Sequence, residues 1–131
     1  MKENYVNAQS FCNSVGLELA TFESKNESDW FSNLLNASCQ NFDPGWCHVG
    51  GMRFFNDASV IRTEIMKNWY WQKSGKKINF DLNWHPLQPD NYNFNQWCLA
   101  VSKINGKMFY ADIQCYNRDE YFICQKFSLL E

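Results

Sequence analysis

The sequence predicts an α+β fold, with two helices early in the chain, antiparallel strands late, and a long irregular loop region between them. Three observations carry that prediction. Two segments near the start space their apolar residues at helical intervals. Two β-rich segments near the end are joined by Asn105-Gly106, the strongest short hairpin signal. Six cysteines, at 12, 39, 47, 98, 115 and 124, give an even count in a small aromatic chain. That pattern points to three disulfides and an oxidising compartment. Zinc is disfavoured, because no Cys-x-x-Cys pair occurs and the two histidines, His48 and His85, are isolated.

The 131 residues suggest one domain spanning 1–131. Aromatic residues make up 18% of the chain, enough for a dense core and a sugar- or protein-facing surface. A net charge of −2, with no long run of either sign, argues against nucleic acid, which demands a basic face. No apolar stretch approaches the roughly 18 residues that span a membrane. Met1-Lys2-Glu3-Asn4 does not read as a signal peptide, so a secreted form would carry its signal upstream or have lost it. An enzyme is disfavoured too. No nucleophile, base and orienter assemble from two isolated histidines, and no nucleotide-binding motif is present.

Residues 4 to 15 read as the first helix, with Tyr5, Ala8 and Cys12 on one face and Gly16 at the position after its end. Leu17-Glu18-Leu19 alternates as a short extended piece. Ser24-Lys25-Asn26-Glu27 matches a capping box and opens the second helix. There Trp30, Phe31, Leu34 and Leu35 form an apolar stripe expected to face the core. Asn26-Glu27-Ser28 and Asn36-Ala37-Ser38 are glycosylation acceptor patterns. Asp43-Pro44-Gly45 is a turn signal, and Cys39 and Cys47 are expected to close the loop around it. Residues 49 to 54 look strand-like, 56 to 68 are polar and unpatterned, and Trp69-Tyr70-Trp71 alternates like a half-buried strand. Ser74-Gly75-Lys76-Lys77 turns the chain toward the loop. Beyond it come strands at 98–101, 107–112 and 121–127.

The stretch from Trp84 to Cys98 has no apolar period and is rich in Asn, Gln and Asp, with four aromatics among them. A segment this long without regular structure is usually functional or disordered, and its aromatics argue for order. Its oxygen-bearing side chains are therefore the candidate chemistry.

Taken together, these residues resemble the C-type lectin-like domain. The points of match are the helix carrying Cys12, the run at 17 to 24, Val49-Gly50-Gly51, Trp69-Tyr70-Trp71, Trp84 and Gln88-Pro89-Asp90. They continue through Cys98, Asp112-Ile113-Gln114-Cys115 and Tyr121-Phe122-Ile123-Cys124. The resemblance implies pairing of Cys12 with Cys124 and of Cys98 with Cys115, which leaves Cys39 with Cys47. It implies two helices flanking antiparallel sheets. It also implies a first strand before the first helix. Only four residues stand there. The edge near Phe127 to Leu130 is therefore expected to be unpaired, or the natural chain extends upstream.

Lectins of this family hold calcium in the loop and complete its coordination with a sugar's vicinal hydroxyls. A hard cation of that kind takes oxygens from carboxylates, amides and backbone. The resemblance implies a cis bond at Gln88-Pro89 and, from Gln-Pro-Asp, a galactose-type preference. The ligands it implies are Gln88, Asp90, Gln96 and Asp112. Gln96 stands where the family has an acid, and Ala111 where it has an amide, so one charge and one amide are lost. Asn91, Asn93 or Asn95 are possible substitutes. Two readings follow: a weak calcium site of roughly millimolar affinity, or a loop ordered by its own hydrogen bonds without the metal. Tyr92 is the first choice to pack against the apolar face of galactose. Trp97, Trp69, Trp71 and Trp84 are expected to be packed, and His85 and His48 to be structural.

The expected function is extracellular recognition of a glycan or glycoprotein, with weakened or lost calcium dependence. The alternative is a protein-binding module on the same scaffold without sugar or metal. No sequence signal fixes an oligomeric state.

Overall fold

A computed structural model describes residues 2–33, 35, 39, 45–53, 61–92 and 95–126. Its first element, α1, runs Tyr5–Ser14 and buries Tyr5, Ala8 and Cys12 along one face. Asn4 caps it, its side-chain oxygen accepting the Asn7 amide at 2.8 Å. Gly16 follows at φ +79°, the left-handed position at which a helix stops. The strand β1, Leu17–Leu19, then leads to α2, Lys25–Ser32. Ser24 Oγ accepts the Glu27 amide at 3.2 Å, and Glu27 reaches back to the Glu23 amide.

The stripe expected on the second helix is corrected in part. Leu35 is buried and Phe31 packs against the core, but Trp30 is 63% exposed; Leu34 lies outside the described residues. Two turns of helix bury only a narrow face, which Ser28 and Phe31 occupy at i and i+3. Trp30, two residues after Ser28, points the other way. Asn26, in the first acceptor pattern, is exposed, while Ser28 is buried and shares a 2.5 Å hydrogen bond with Tyr110 Oη. The second acceptor pattern and the Asp43-Pro44 turn lie outside the described residues.

The chain continues through β2, Cys47–Arg53, and α3, Arg62–Ile65, to β3, Trp69–Trp71. The short α3 lies in the stretch read as unpatterned, because a single turn is too short to show a period. Its last carbonyl, of Ile65, accepts the Trp69 indole N–H at 2.7 Å. After the loop come β4, Cys98–Ile104, and β5, Lys107–Ile113. Asn105 and Gly106 join them at φ +51° and +80°, the left-handed pair that a tight hairpin needs. The strand expected at 121–127 is split into β6, Tyr121–Phe122, and β7, Cys124–Lys126. The two pieces serve different partners: β6 pairs parallel to β2, and β7 pairs antiparallel to β1. The expected edge near Phe127 to Leu130 lies outside the described residues.

The larger sheet has the order β3-β2-β4-β5, all antiparallel, with β6 added alongside β2. It separates two apolar clusters. Leu99 and Val101 of β4 face the cluster of Phe22, Val49, Ile65, Trp69, Trp71 and Trp84. Cys98 and Ala100 face Tyr5, Ala8, Cys12 and Leu19 on the opposite side, as strand alternation demands. The β2–β4 register shifts between His48 and Met52. There a Cβ on Gly51 would sit 2.5 Å from Leu99 Cδ2, so close strand approach requires the glycine. Cys12–Cys124, Cys39–Cys47 and Cys98–Cys115 are all bonded, the pairing the resemblance implies.

Candidate functional site

The loop from Trp84 to Cys98 is fastened to β5 where it begins. Trp84 is buried, packs against Trp69 with ring centroids 5.4 Å apart and planes tilted by 53°, and bridges to Tyr110. The His85 amide donates to the Tyr110 carbonyl at 2.9 Å, and the Tyr110 amide to Asn83 at 2.9 Å. His85 also accepts the Leu87 amide on its ring Nδ1 at 3.4 Å. Its carbonyl accepts the Gln88 amide at 2.7 Å, closing a turn that leaves Leu87 76% exposed. The Arg62 guanidinium then holds the Gln88 carbonyl at 2.7 Å. No sequence signal pointed to Arg62, since it lies in the unpatterned stretch.

Gln88-Pro89 is cis and Pro89 is buried. Immediately after it the loop folds over Asp112. The Asp90 amide donates to Asp112 Oδ1 at 3.1 Å, and the Asn91 amide to Oδ2 at 2.6 Å. Asn91 takes φ +48°, a conformation its short polar side chain tolerates. Its Oδ1 accepts the Gln96 amide at 3.1 Å. The Tyr92 amide is shared between Asp90 Oδ1 at 3.2 Å and Gln96 Oε1 at 3.3 Å. Tyr92 itself is 63% exposed. The loop leaves through Trp97, half-buried against the α1-side cluster, whose carbonyl accepts the Arg53 amide at 2.8 Å.

The structure thus gathers Asp90, Tyr92, Gln96 and Asp112 into one hydrogen-bonded turn, while Gln88, just before it in the chain, bonds to His85 and Arg62 instead. Asp112, only 4% exposed, is its anionic centre. Burial, with the Asp90 charge nearby, raises its pKa to about 6, while the two loop amides pull the other way. At neutral pH it is charged. Two further oxygens stand apart. Gln88 Oε1 and Asn95 Oδ1 are buried and have no hydrogen-bond donor among the described residues. Asn93 lies outside those residues.

Among the described residues no group of three or more His, Cys, Asp or Glu side chains comes together. A cation at this turn would meet at most the two carboxylates. Each carboxylate oxygen has about two acceptor positions, so Asp112 can hold its amides and still offer oxygen elsewhere. The two unpaired amide oxygens are of the type a hard cation takes. Two clefts of about 470 Å³ lie elsewhere, one beside Trp69 and Trp84, the other between α2 and the β4–β5 turn. Neither includes Gln88, Asp90, Asn95 or Asp112.

No protein-family model matches the chain. It is similar to perlucin of Haliotis laevigata, with 25% identity over 126 residues covering 96% of this chain and 72% of perlucin. It is also similar to C-type lectin CRL of Crotalus ruber ruber, with 23% identity over 104 residues, 66% of this chain and 76% of that protein. Among solved structures, the C-type lectin domain of murine dendritic cell inhibitory receptor 2, in complex with N-glycan, aligns with a TM-score of 0.69 at 17% identity. That alignment covers 96% of this chain and 84% of that one. A Ca2+-dependent type II antifreeze protein in its Ca2+-free form aligns with a TM-score of 0.65 at 23% identity, covering 94% and 83%. The chain has the C-type lectin fold. No helix among the described residues is long and apolar enough to cross a membrane.

Proposed function

We propose that this chain is an extracellular carbohydrate-recognition module of the galactose type, with weakened dependence on calcium. The observation that carries the reading is the turn at Gln88-Pro89-Asp90. It is held over Asp112 by two amide hydrogen bonds, and the exposed Tyr92 follows two residues after Asp90. Asp90, Gln88 and Gln96 supply acceptors for sugar hydroxyls, and Tyr92 a flat apolar surface for the sugar ring. Calcium, when bound, supplies coordination positions for vicinal hydroxyls. Gln88, Asp90 and Asp112, together with a further loop amide, would hold it, and their low total charge favours weak binding. Asp112 keeps the turn in shape without a metal, because both its oxygens already take loop amides.

Binding to immobilised galactose, in millimolar calcium and in chelator, tests the reading. Galactose-competed retention that weakens but survives in chelator is expected. Retention on mannose instead, or on neither sugar in either buffer, would overturn it. A second reading, a protein-binding module, is favoured by the exposure of Leu87 at 76% and Tyr92 at 63% on the same turn. The occurrence of this fold in an antifreeze protein also supports a role without sugar. A partner recovered by wild type but not by Leu87→Ala, beside a silent glycan array, decides for it.

A further inference from the structure

Resting on the extracellular part of the reading above, we propose that Asn26 carries an N-linked glycan whose innermost sugar packs against Trp30. Asn26-Glu27-Ser28 is the acceptor pattern for that modification, and Asn26 is exposed on the first turn of α2. Trp30, four positions further on, is 63% exposed, although tryptophan is highly buried on average. On a helix that spacing puts the two Cβ atoms roughly 5–6 Å apart on one face. It is the outer face, because Ser28, two residues from each, is buried. Long helical side chains lean toward the N-terminus, which directs the Trp30 indole over the turn that bears Asn26. An indole offers a flat apolar surface to one face of a sugar ring. A sugar joined to Asn26 starts within reach of that surface.

The transfer balances without an oxidant or reductant. The Asn26 amide nitrogen bonds to the anomeric carbon of a lipid-pyrophosphate-linked oligosaccharide. The anomeric C–O bond breaks, the lipid pyrophosphate leaves with the electron pair, and one proton passes from the amide nitrogen to water. The acceptor pattern also requires the Ser28 hydroxyl. In the folded chain that hydroxyl is occupied: Ser28 is 4% exposed, and its Oγ shares a 2.5 Å hydrogen bond with Tyr110 Oη. Transfer therefore precedes the docking of α2 onto β5. Once α2 docks, Ser28 faces inward and the glycan stays on the outer face with Trp30.

The full chain, led into the secretory pathway of cultured animal cells and carrying Asn36→Gln to silence the second acceptor pattern, tests both parts. Glycoamidase should lower its mass by one N-glycan and convert the Asn26 amide to a carboxylate. Adding Asn26→Gln should abolish that loss of mass. In the intact glycoprotein the ring protons of the innermost sugar should resonate upfield of their positions in the glycopeptide freed by proteolysis. Trp30→Ala should abolish the upfield shift while the glycan remains. Both Asn26 and Trp30 are exposed, so neither substitution removes core packing. An unmodified Asn26 in the chain recovered from cells and medium would overturn the proposal. Sugar resonances at their glycopeptide positions, or indifferent to Trp30→Ala, would overturn it as well. Galactose binding by the same samples reports separately on the recognition function.

Discussion

Two buried titratable side chains fasten irregular backbone at two places in this molecule, and they do so with opposite chemistry. Beneath α1, His48 is fully buried, and its Nε2 lies 3.0 Å from the Glu3 carbonyl oxygen and 3.2 Å from that of Arg118. Both partners are acceptors, so Nε2 carries the proton and donates to both. The ring is neutral, because burial drives its pKa down to about 4. Under the loop, Asp112 does the mirror-image task. It accepts two amides, remains anionic at neutral pH, and has acceptor capacity left over. The first fastening is neutral and leaves only the ring Nδ1 without a partner among the described residues, whereas the second retains charge.

The largest expected contrast lies in the disulfides of the two regions. Cys12–Cys124 ties α1 to β7 across 112 positions, whereas Cys98–Cys115 spans 17 at the loop exit. On chain-entropy grounds, replacing the first pair by alanine should remove about 5 kcal/mol and replacing the second about 3 kcal/mol. Urea unfolding of the two double variants measures both. Equal losses, or the reverse order, would break the distinction between a globally tied scaffold and a locally tied loop.

Acid sharpens the same comparison. Unfolded His48 takes its proton near pH 6.5 and the folded ring only near pH 4, so the unfolded state binds the extra proton and stability falls as pH drops through that window. Asp112 runs the other way. Its folded carboxyl protonates near pH 6 and its unfolded one near 3.8, so stability rises as pH drops between them. Each contribution is about 3 kcal/mol, and in the wild type they nearly cancel. Asp112→Asn removes one side of the balance. From pH 6.5 to pH 4 its stability should fall by about 3 kcal/mol more than that of the wild type. A flat profile in the variant would mean that the two groups are not opposed.

The scaffold was legible in the sequence because its signals are local. Asn105-Gly106, the Ser24 capping box and Gly16 each specify structure within a few residues, whereas the pairings Cys12–Cys124 and Cys98–Cys115 came from the family resemblance. Burial of Trp69, Trp71 and Trp84 was legible for the same reason, as a short alternating pattern and a flanking aromatic. Trp30 was misjudged because the stripe was counted without knowing that α2 has only two turns, and α3 was missed because one turn has no period. At the loop, the sequence named the oxygens but not their duties. Those depend on contacts between distant residues, such as Asp112 to Asp90 across 22 positions and Arg62 to Gln88 across 26. No spacing rule distinguishes an amide oxygen that closes a turn, as in Gln96, from one left without a donor, as in Asn95.

The smallest effect on stability gives the most direct test of where recognition occurs. Trp30 and Tyr92 are each 63% exposed, one on the scaffold helix α2 and one on the loop. Truncating either to alanine removes little buried area, so both variants should stay within about 0.5 kcal/mol of wild type in urea unfolding. Their binding should differ. Trp30 stands on α2, outside the loop from Trp84 to Cys98, and its loss should leave galactose affinity unchanged. Tyr92 lies in the turn itself, its backbone amide donating to the Asp90 carboxylate. Losing that surface should weaken galactose binding about tenfold, equivalent to about 1.4 kcal/mol. Tyr92→Phe, which keeps the ring, should retain most of the affinity if the contact is apolar packing. If Trp30→Ala instead carries the loss, the recognition surface lies on α2 and the loop is only a structural element.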